Sequence, residues 1–278
     1  MQRTKIEWVK NTNGSRGFTW NPVTGCLAGC TYCYARVIAE KNGHSDGIDS
    51  RVRPRPQIAF IEQGSFPYRF TPTFYPGRIK DPLLEIKKPS TIFVCSMADL
   101  FGPWIPEEWR KKIFHTVELC PQHTFLFLTK YPHIMAQNLG QYLPSGKQKN
   151  HWFGYTDDGT RAKSDWIYLK FMSNVFVSCE PLLGDSARIK FEHIDWLIIG
   201  ALTRDGRPVP PKRGGTQYEW VIKLIQEARR YNVLVFVKNN LLTIHPSLPD
   251  IQEVPWIIKN KSHDYGQPSL DFNQGILI

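Results

Sequence analysis

Residues 19–40 read TWNPVTGCLAGCTYCYARVIAE, and Cys26, Cys30 and Cys33 fall within eight positions of it at C-x3-C-x2-C spacing. Where thiols stay reduced, cysteines this dense are metal ligands or reactive groups rather than disulfides. A structural zinc site ordinarily draws four ligands, usually as two separated pairs. The remaining cysteines, Cys95, Cys120 and Cys179, are scattered in or beside apolar segments, so a fourth zinc ligand has no obvious source. Iron–sulfur clusters ordinarily take four thiolates as well. A cluster held by three leaves one iron with open positions, which can take a small molecule through an amine and a carboxylate. Tyr32 stands immediately before the last cysteine.

Such a loop needs a frame, and the chain offers one. IFVCSM (92–97), TFLFLT (124–129), HWFGYT (151–156), NVFVSC (174–179), IDWLIIGA (194–201) and VLVFVKN (233–239) read as strands rich in β-branched and aromatic residues. Helical stretches separate them. One opens at Pro106 with Glu107 and Glu108 in its first turn, and YPHIMAQNLG (131–140) ends at Gly140. A third is expected in RAKSDWIYLKFM. TQYEWVIKLIQEARRY (216–231) places Trp220, Val221, Leu224, Ile225 and Ala228 on one face. This alternation predicts parallel pairing through right-handed crossovers. With a strand before the cysteines there are about seven units. The expected fold is α/β, a partial or near-complete (β/α) barrel of six or seven parallel strands forming one domain over residues 1–278. Its chemistry belongs at the C-terminal ends of the strands.

A segment at about 44–89 interrupts the pattern as a Pro- and Arg-rich insertion without helical period. Residues 51–88 hold eight Lys or Arg against three Asp or Glu, with six Phe or Tyr interleaved. Cations for phosphate and rings for bases are what nucleic-acid binding uses. In RVRPRP, Arg51, Arg53 and Arg55 alternate with Val52 and Pro54, which puts three guanidinium groups on one side of a stiff extended backbone. The competing reading is a Pro-pinned loop whose aromatics fill a seam.

Composition sets the outer bounds. Of 278 residues, 41% are hydrophobic and 22% charged, which is a globular balance. No run approaches a membrane helix, and the N-terminal MQRTKIEWVKNTNG lacks the apolar core of a secretory signal. A cytoplasmic location and no membrane partner are expected. The formal charge of +10, with pI near 9.3, favours polyanionic partners.

The cysteine spacing, with an aromatic before the third cysteine and a place after the first strand of a βα barrel, resembles the radical S-adenosylmethionine superfamily. The blocks WNPVTGC…GCTYCYA, FYPGRIKDPLLEIKKPSTIFVCSMADLFG, LTKYP, SCEPLLG and DWLIIGA run in that order over nearly the whole chain. They resemble a phage- and prophage-associated family of that superfamily. The resemblance implies a 4Fe–4S cluster on Cys26, Cys30 and Cys33, with S-adenosyl-L-methionine as second cofactor and Tyr32 near its adenine. Many superfamily members carry Gly-Gly-Glu after the second strand to hold the cofactor's amino group. Here that place reads SMADLFG, which leaves Ser96 and Asp99 as polar candidates, Asp99 alternatively as a cap for the following turn. Glu180 in SCEP could bind ribose hydroxyls or the methionine amine, or form a salt bridge to an arginine. Thr156, Asp157 and Asp158 end the preceding strand, and Gly200 ends another, where a missing Cβ permits close approach of a flat ligand. Cys95 and Cys179 are expected near strand ends facing the mouth, as hydrogen-atom donors or simply as buried small hydrophobes.

The implied chemistry is reductive cleavage of the sulfonium to a 5′-deoxyadenosyl radical, which abstracts hydrogen from an unactivated carbon. The implied substrate is phage DNA or a nucleotide. The favoured reaction is isomerisation of an amino-acid-modified thymidine during DNA hypermodification for restriction evasion. A host flavodoxin or ferredoxin would donate the electron, and other modification enzymes are possible partners. Two alternatives stand beside this. One is a radical lyase repairing a pyrimidine lesion. The other is a non-catalytic zinc- or cluster-bearing nucleic-acid-binding module.

Overall fold

A computed structural model of the chain describes residues 1–43, 55–60, 66–142, 150–160, 172, 174–185 and 189–261. The chain opens with β1 (Gln2–Arg3) and β2 (Phe18–Trp20), followed by β3 (Val23–Thr24) and α1 (Tyr34–Asn42). The insertion carries β4 (Gln57–Ile58), β5 (Thr73–Phe74) and α2 (Asp81–Glu85). Then come β6 (Thr91–Val94), α3 (Glu107–Glu118), β7 (Thr124–Thr129), α4 (Pro132–Tyr142), β8 (His151–Thr156) and β9 (Val175–Cys179). The last stretch holds β10 (Trp196–Ile199), β11 (Thr203–Arg204), β12 (Arg207–Pro208), α5 (Tyr218–Arg230), β13 (Leu234–Val237), α6 (Asn239–Ile244) and α7 (Pro255–Lys261).

Eight strands form the central sheet in the order β1-β2-β6-β7-β8-β9-β10-β13. Every ladder from β2 to β13 is parallel, and only β1 runs antiparallel, against β2. The seven parallel strands are those predicted; β7 and β8 coincide with TFLFLT and HWFGYT residue for residue. The helix predicted over 161–172 lies outside the described residues, apart from Met172.

The sheet is open, since no ladder among the described residues joins β13 back to β1 or β2. The N-terminal segment links the two edges instead. Gly17 N donates to Val9 O at 2.9 Å on one side. On the other, Asn239 N donates to Glu7 Oε2 at 2.8 Å and Trp256 Nε1 to Lys10 O at 2.6 Å.

Both faces of the sheet are buried, which explains strands that read as continuous apolar runs. Strand residues of one parity, among them Val94, Phe127, Val177, Ile199 and Val237, pack with Ile113 of α3 and Leu224 and Ile225 of α5. Residues of the other parity (Phe93, Leu126, Trp152, Phe176, Trp196, Ile198, Phe236) cluster with Trp8. Burial of this kind stabilises by roughly 25 cal/mol per Å² of apolar surface.

The insertion differs from expectation. Its residues 76–78 form a 3-10 turn and Asp81–Glu85 a short helix with a proline in its first turn, a start signal that local composition masked. β3, β5 and β4 form a small separate sheet. Phe70, Phe74 and Tyr75 are buried, with Arg78 over the Tyr75 ring, so these aromatics fill the seam. No helix among the described residues is long and apolar enough to cross a membrane.

His151, at the start of β8, is 1% exposed, and neither ring nitrogen has a hydrogen-bond partner. Rings of Phe125, Phe127 and Phe153 surround it. Burial pushes its imidazole down from 6.5 to about 4. The unfolded chain therefore takes up a proton first as pH falls. The stability this site provides is complete above 6.5 and is lost as pH falls through 4. At roughly 1.4 kcal/mol per unit, the loss is on the order of 3 kcal/mol. Denaturant unfolding from pH 7 to 4 should show this slope in the wild type, and His151→Phe should flatten it.

Candidate functional site

The cysteine loop leaves β3 through Gly25, whose φ of +85° suits glycine. A Cβ there would lie 2.2 Å from Thr71 O, so the loop can press against the insertion only with this residue. Gly25 N donates to Met97 O at 2.8 Å and Cys26 N to Phe70 O at 3.1 Å, tying the loop to the exit of β6 and to the insertion. Cys33 caps α1, its sulfur accepting from Arg36 N at 3.4 Å, and Cys26 sulfur accepts from Ala28 N at 3.4 Å. Ala35 and Ala39 pack α1 on Phe70 beside Cys26 and Cys33.

All three cysteines are half-buried, outside any disulfide, and line one cavity of about 450 Å³. Strand ends supply its other wall: Thr129 from β7, Thr156 from β8, Ser178 from β9, then Glu180 and, after β13, Lys238. This is the C-terminal edge of the parallel sheet, where βα architecture leaves loops free for chemistry. Phe70, Phe93 and Leu128 give it apolar surface.

Glu180 Oε1 is ion-paired to Lys238 Nζ, and Trp8 Nε1 donates to Glu180 Oε2 at 3.4 Å. Burial pulls the Lys238 ammonium down, but the adjacent Glu180 carboxylate outweighs it and holds the group above its ordinary range. The salt bridge weighed for Glu180 is thus made to a lysine inside the cavity. Gly200 does not line the cavity. A Cβ on it would stand 3.1 Å from Glu180 Cγ and 3.0 Å from Lys238 Cδ, so its bareness makes room for the ion pair rather than for a flat ligand.

Tyr32 donates to Asp158 Oδ2 at 2.7 Å, joining the cysteine loop to the end of β8. Asp158 also accepts from Thr160 N and Oγ1. Burial alone would raise its carboxyl, but these donors together hold it below the usual range. Asp157 accepts from Gly159 N in a local turn. Ser96 Oγ donates to Asn21 Oδ1 at 3.2 Å, while its carbonyl receives Tyr34 OH at 2.7 Å. Asp99 lines the cavity but is committed to its neighbours. It accepts from Thr129 Oγ1 at 2.6 Å, Lys130 N at 2.8 Å and Phe101 N at 3.2 Å. Burial raises its carboxyl despite these bonds.

The two thiols part company. Cys95 lines the cavity at 3% exposure with φ +57°, and burial pushes it up to about 12. Cys179 shares the parity of Val175 and Val177 and packs in the helix-side core, whereas Ser178 faces the cavity. Arg51 and Arg53 lie outside the described residues; Arg55 is exposed next to β4.

Lys238, Lys130, Lys5 and Trp8 also line the cavity and were not singled out from the sequence. Lys238 was findable, because it follows the strand VLVFV as Glu180 follows VFVSC. Trp8 was not, since its segment has no period and its partner Glu180 is 172 residues away.

Among the described residues no three His, Cys, Asp or Glu side chains converge closely enough for one metal ion. The three thiols line one cavity, and thiolates are the donors that iron–sulfur clusters take. Burial pushes the Cys26 thiol up to about 12.

Residues 3–241 match the family model described as "Protein of unknown function (DUF5131)". No curated protein matches the chain. Among solved structures the chain is similar to spore photoproduct lyase complexed with dinucleoside spore photoproduct, at 11% identity and a TM-score of 0.47. A double mutant of that lyase, with bound AdoMet and dinucleoside spore photoproduct, gives the same values. In each case the match covers 88% of this chain and 76% of the other.

Proposed function

The chain belongs to the DUF5131 family, and we propose that it is a radical S-adenosylmethionine enzyme acting on a modified nucleobase. The observation that carries this reading is that Cys26, Cys30 and Cys33 open onto the same cavity as the polar ends of the parallel strands. Cys26, Cys30 and Cys33 would hold the 4Fe–4S cluster. When bound, the cluster and S-adenosyl-L-methionine supply one-electron C–S cleavage and, from it, hydrogen abstraction at unactivated carbon.

The remaining work falls to this chain. Tyr32, fixed by Asp158, forms the side of the cysteine loop against which the adenine would lie. Glu180, Lys238 and Trp8 present one acceptor and two donors for the polar groups of the cofactor or substrate. Asp99 braces the β7 exit through Thr129 and Lys130 and acts as a positioning residue. Ser96 stays a candidate contact, held by Asn21. Phe70, Phe93 and Leu128 keep water from the reacting centre.

The ordered blocks from WNPVTGC to DWLIIGA and the charge of +10 support a nucleobase in DNA as the target. The reaction favoured is isomerisation of an amino-acid-modified thymidine in phage DNA hypermodification. A flavodoxin or ferredoxin would be the electron donor in a bacterial cytoplasm. Cys95 supports a second reading, repair of a pyrimidine lesion by a radical lyase. It lines the cavity as a buried thiol, where its S–H could serve as the hydrogen-atom donor.

Incubation with DNA carrying an amino-acid-modified thymidine, then digestion to nucleosides, tests the assignment. Isomerisation leaves the nucleoside mass unchanged and shifts its retention and fragmentation. A mass change, or no change with cofactor cleavage intact, would refute it.

A further inference from the structure

The loop after β10 leaves the cavity wall at Leu202 and Thr203 and turns back as the hairpin β11–β12. Its turn residues, Asp205 at φ +52° and Gly206 at φ +75°, form the two-residue connection that Asp-Gly favours. The base is pinned: Val209 N donates to Leu202 O at 2.8 Å. Leu202 N donates to Thr216 Oγ1, which in turn donates to Leu182 O at 2.8 Å. The hairpin is therefore a built projection from the rim of the cavity.

Its charges are anomalous. Arg204 and Arg207 are direct cross-strand partners. Opposed residues on a two-stranded ladder share a face with Cβ atoms about 5 Å apart, where like charges destabilise. Both are exposed, as are Lys212 and Arg213 in the turn that follows. No carboxylate among the described residues pairs with any of the four. The only acidic residue in 203–214 is Asp205, so four cations face one carboxylate. Two guanidinium groups carried on directly opposed residues can take an anion between them. Guanidinium forks match phosphate oxygens in pairs.

We infer that the β11–β12 hairpin is a phosphate clamp, with Arg204 and Arg207 gripping a phosphodiester of a polynucleotide whose neighbouring nucleotide enters the cavity. This deepens the proposed function by assigning it a backbone-binding element, and it rests on that reading only for the identity of the base. A free nucleotide would offer the same phosphate chemistry, so the test has an arm for each source.

The experiment is a salt titration of binding to a labelled single-stranded oligonucleotide, for wild type and for R204Q/R207Q. The variant should bind roughly tenfold more weakly or worse. Its slope of log affinity against log salt should be shallower by about 1.4, or 0.7 per lost contact. Its melting temperature should not fall, because the substitution removes a like-charge pair. Equal affinity and slope in the two proteins would overturn the clamp. So would loss of thymidine monophosphate binding with oligonucleotide binding intact. S-adenosylmethionine cleavage without DNA should be the same in both. Its absence from both would refute the radical assignment and leave the binding result standing.

Discussion

The variant C26A/C30A/C33A is expected to lose all bound iron and all S-adenosylmethionine cleavage while its sheet stays folded. Cys26 and Cys33 pack against a satellite cluster around Ala35, Ala39 and Phe70. None of the three cysteines belongs to the large cluster between the sheet and its outer helices. The local costs are two long sulfur contacts at 3.4 Å, the Cys33 cap on α1 and the Cys26 acceptor for Ala28 N. Losing a cap costs about 1 kcal/mol for oxygen side chains, and this one is weaker. Circular dichroism should therefore show near-wild-type secondary structure and a melting temperature only a few degrees lower. Iron analysis and the visible absorbance of the reconstituted protein should read zero. Retained cofactor cleavage would show that the triplet does not hold the cluster.

The second large effect concerns Glu180 and Lys238. Lys238→Met leaves a carboxylate without its cation, at a site where the lysine side chain is 13% and the glutamate 28% exposed. Breaking a buried pair on one side costs 3–5 kcal/mol, and partial exposure brings the expected loss to about 2–3 kcal/mol. Glu180→Gln should cost less, since the remaining lysine can reach water through its flexible stem. It should weaken S-adenosylmethionine binding by roughly ten- to a hundredfold, the value of one charged hydrogen bond. The double variant Glu180→Gln/Lys238→Met should recover most of the stability lost in Lys238→Met but none of the binding. Denaturant melts and isothermal titration on all three proteins separate these outcomes. If the double variant binds the cofactor like wild type, the pair is structural only.

The contrast between these two sites shows where sequence alone is informative. The cysteine triplet was legible because its chemistry is local; three ligands within eight residues need no tertiary knowledge. The parallel strands were legible because burial on both faces leaves long apolar runs such as DWLIIGA. That same burial hid side-chain direction. Phe176 and Val177 are equally apolar, so nothing local said that Ser178 faces the cavity and Cys179 the helices. Closure of the sheet was hidden too, because it depends on edge strands far apart in sequence that here meet the N-terminal segment instead. At Gly200 the sequence shows only that a glycine leaves space. What fills that space is the pair Glu180 and Lys238, which directly follow β9 and β13 and which only the register brings together.

The central claim is that the cysteine cavity cleaves S-adenosylmethionine. The most direct measurement is anaerobic reconstitution with iron and sulfide, reduction by dithionite, addition of S-adenosylmethionine, and detection of 5′-deoxyadenosine by mass spectrometry. About four irons and four sulfides per chain are predicted, the content of one 4Fe–4S cluster, with 5′-deoxyadenosine formed by the wild type and not by C26A/C30A/C33A. Stoichiometric zinc, with no 5′-deoxyadenosine from reduced wild-type protein, would contradict the claim and favour a metal that only folds a nucleic-acid-binding loop.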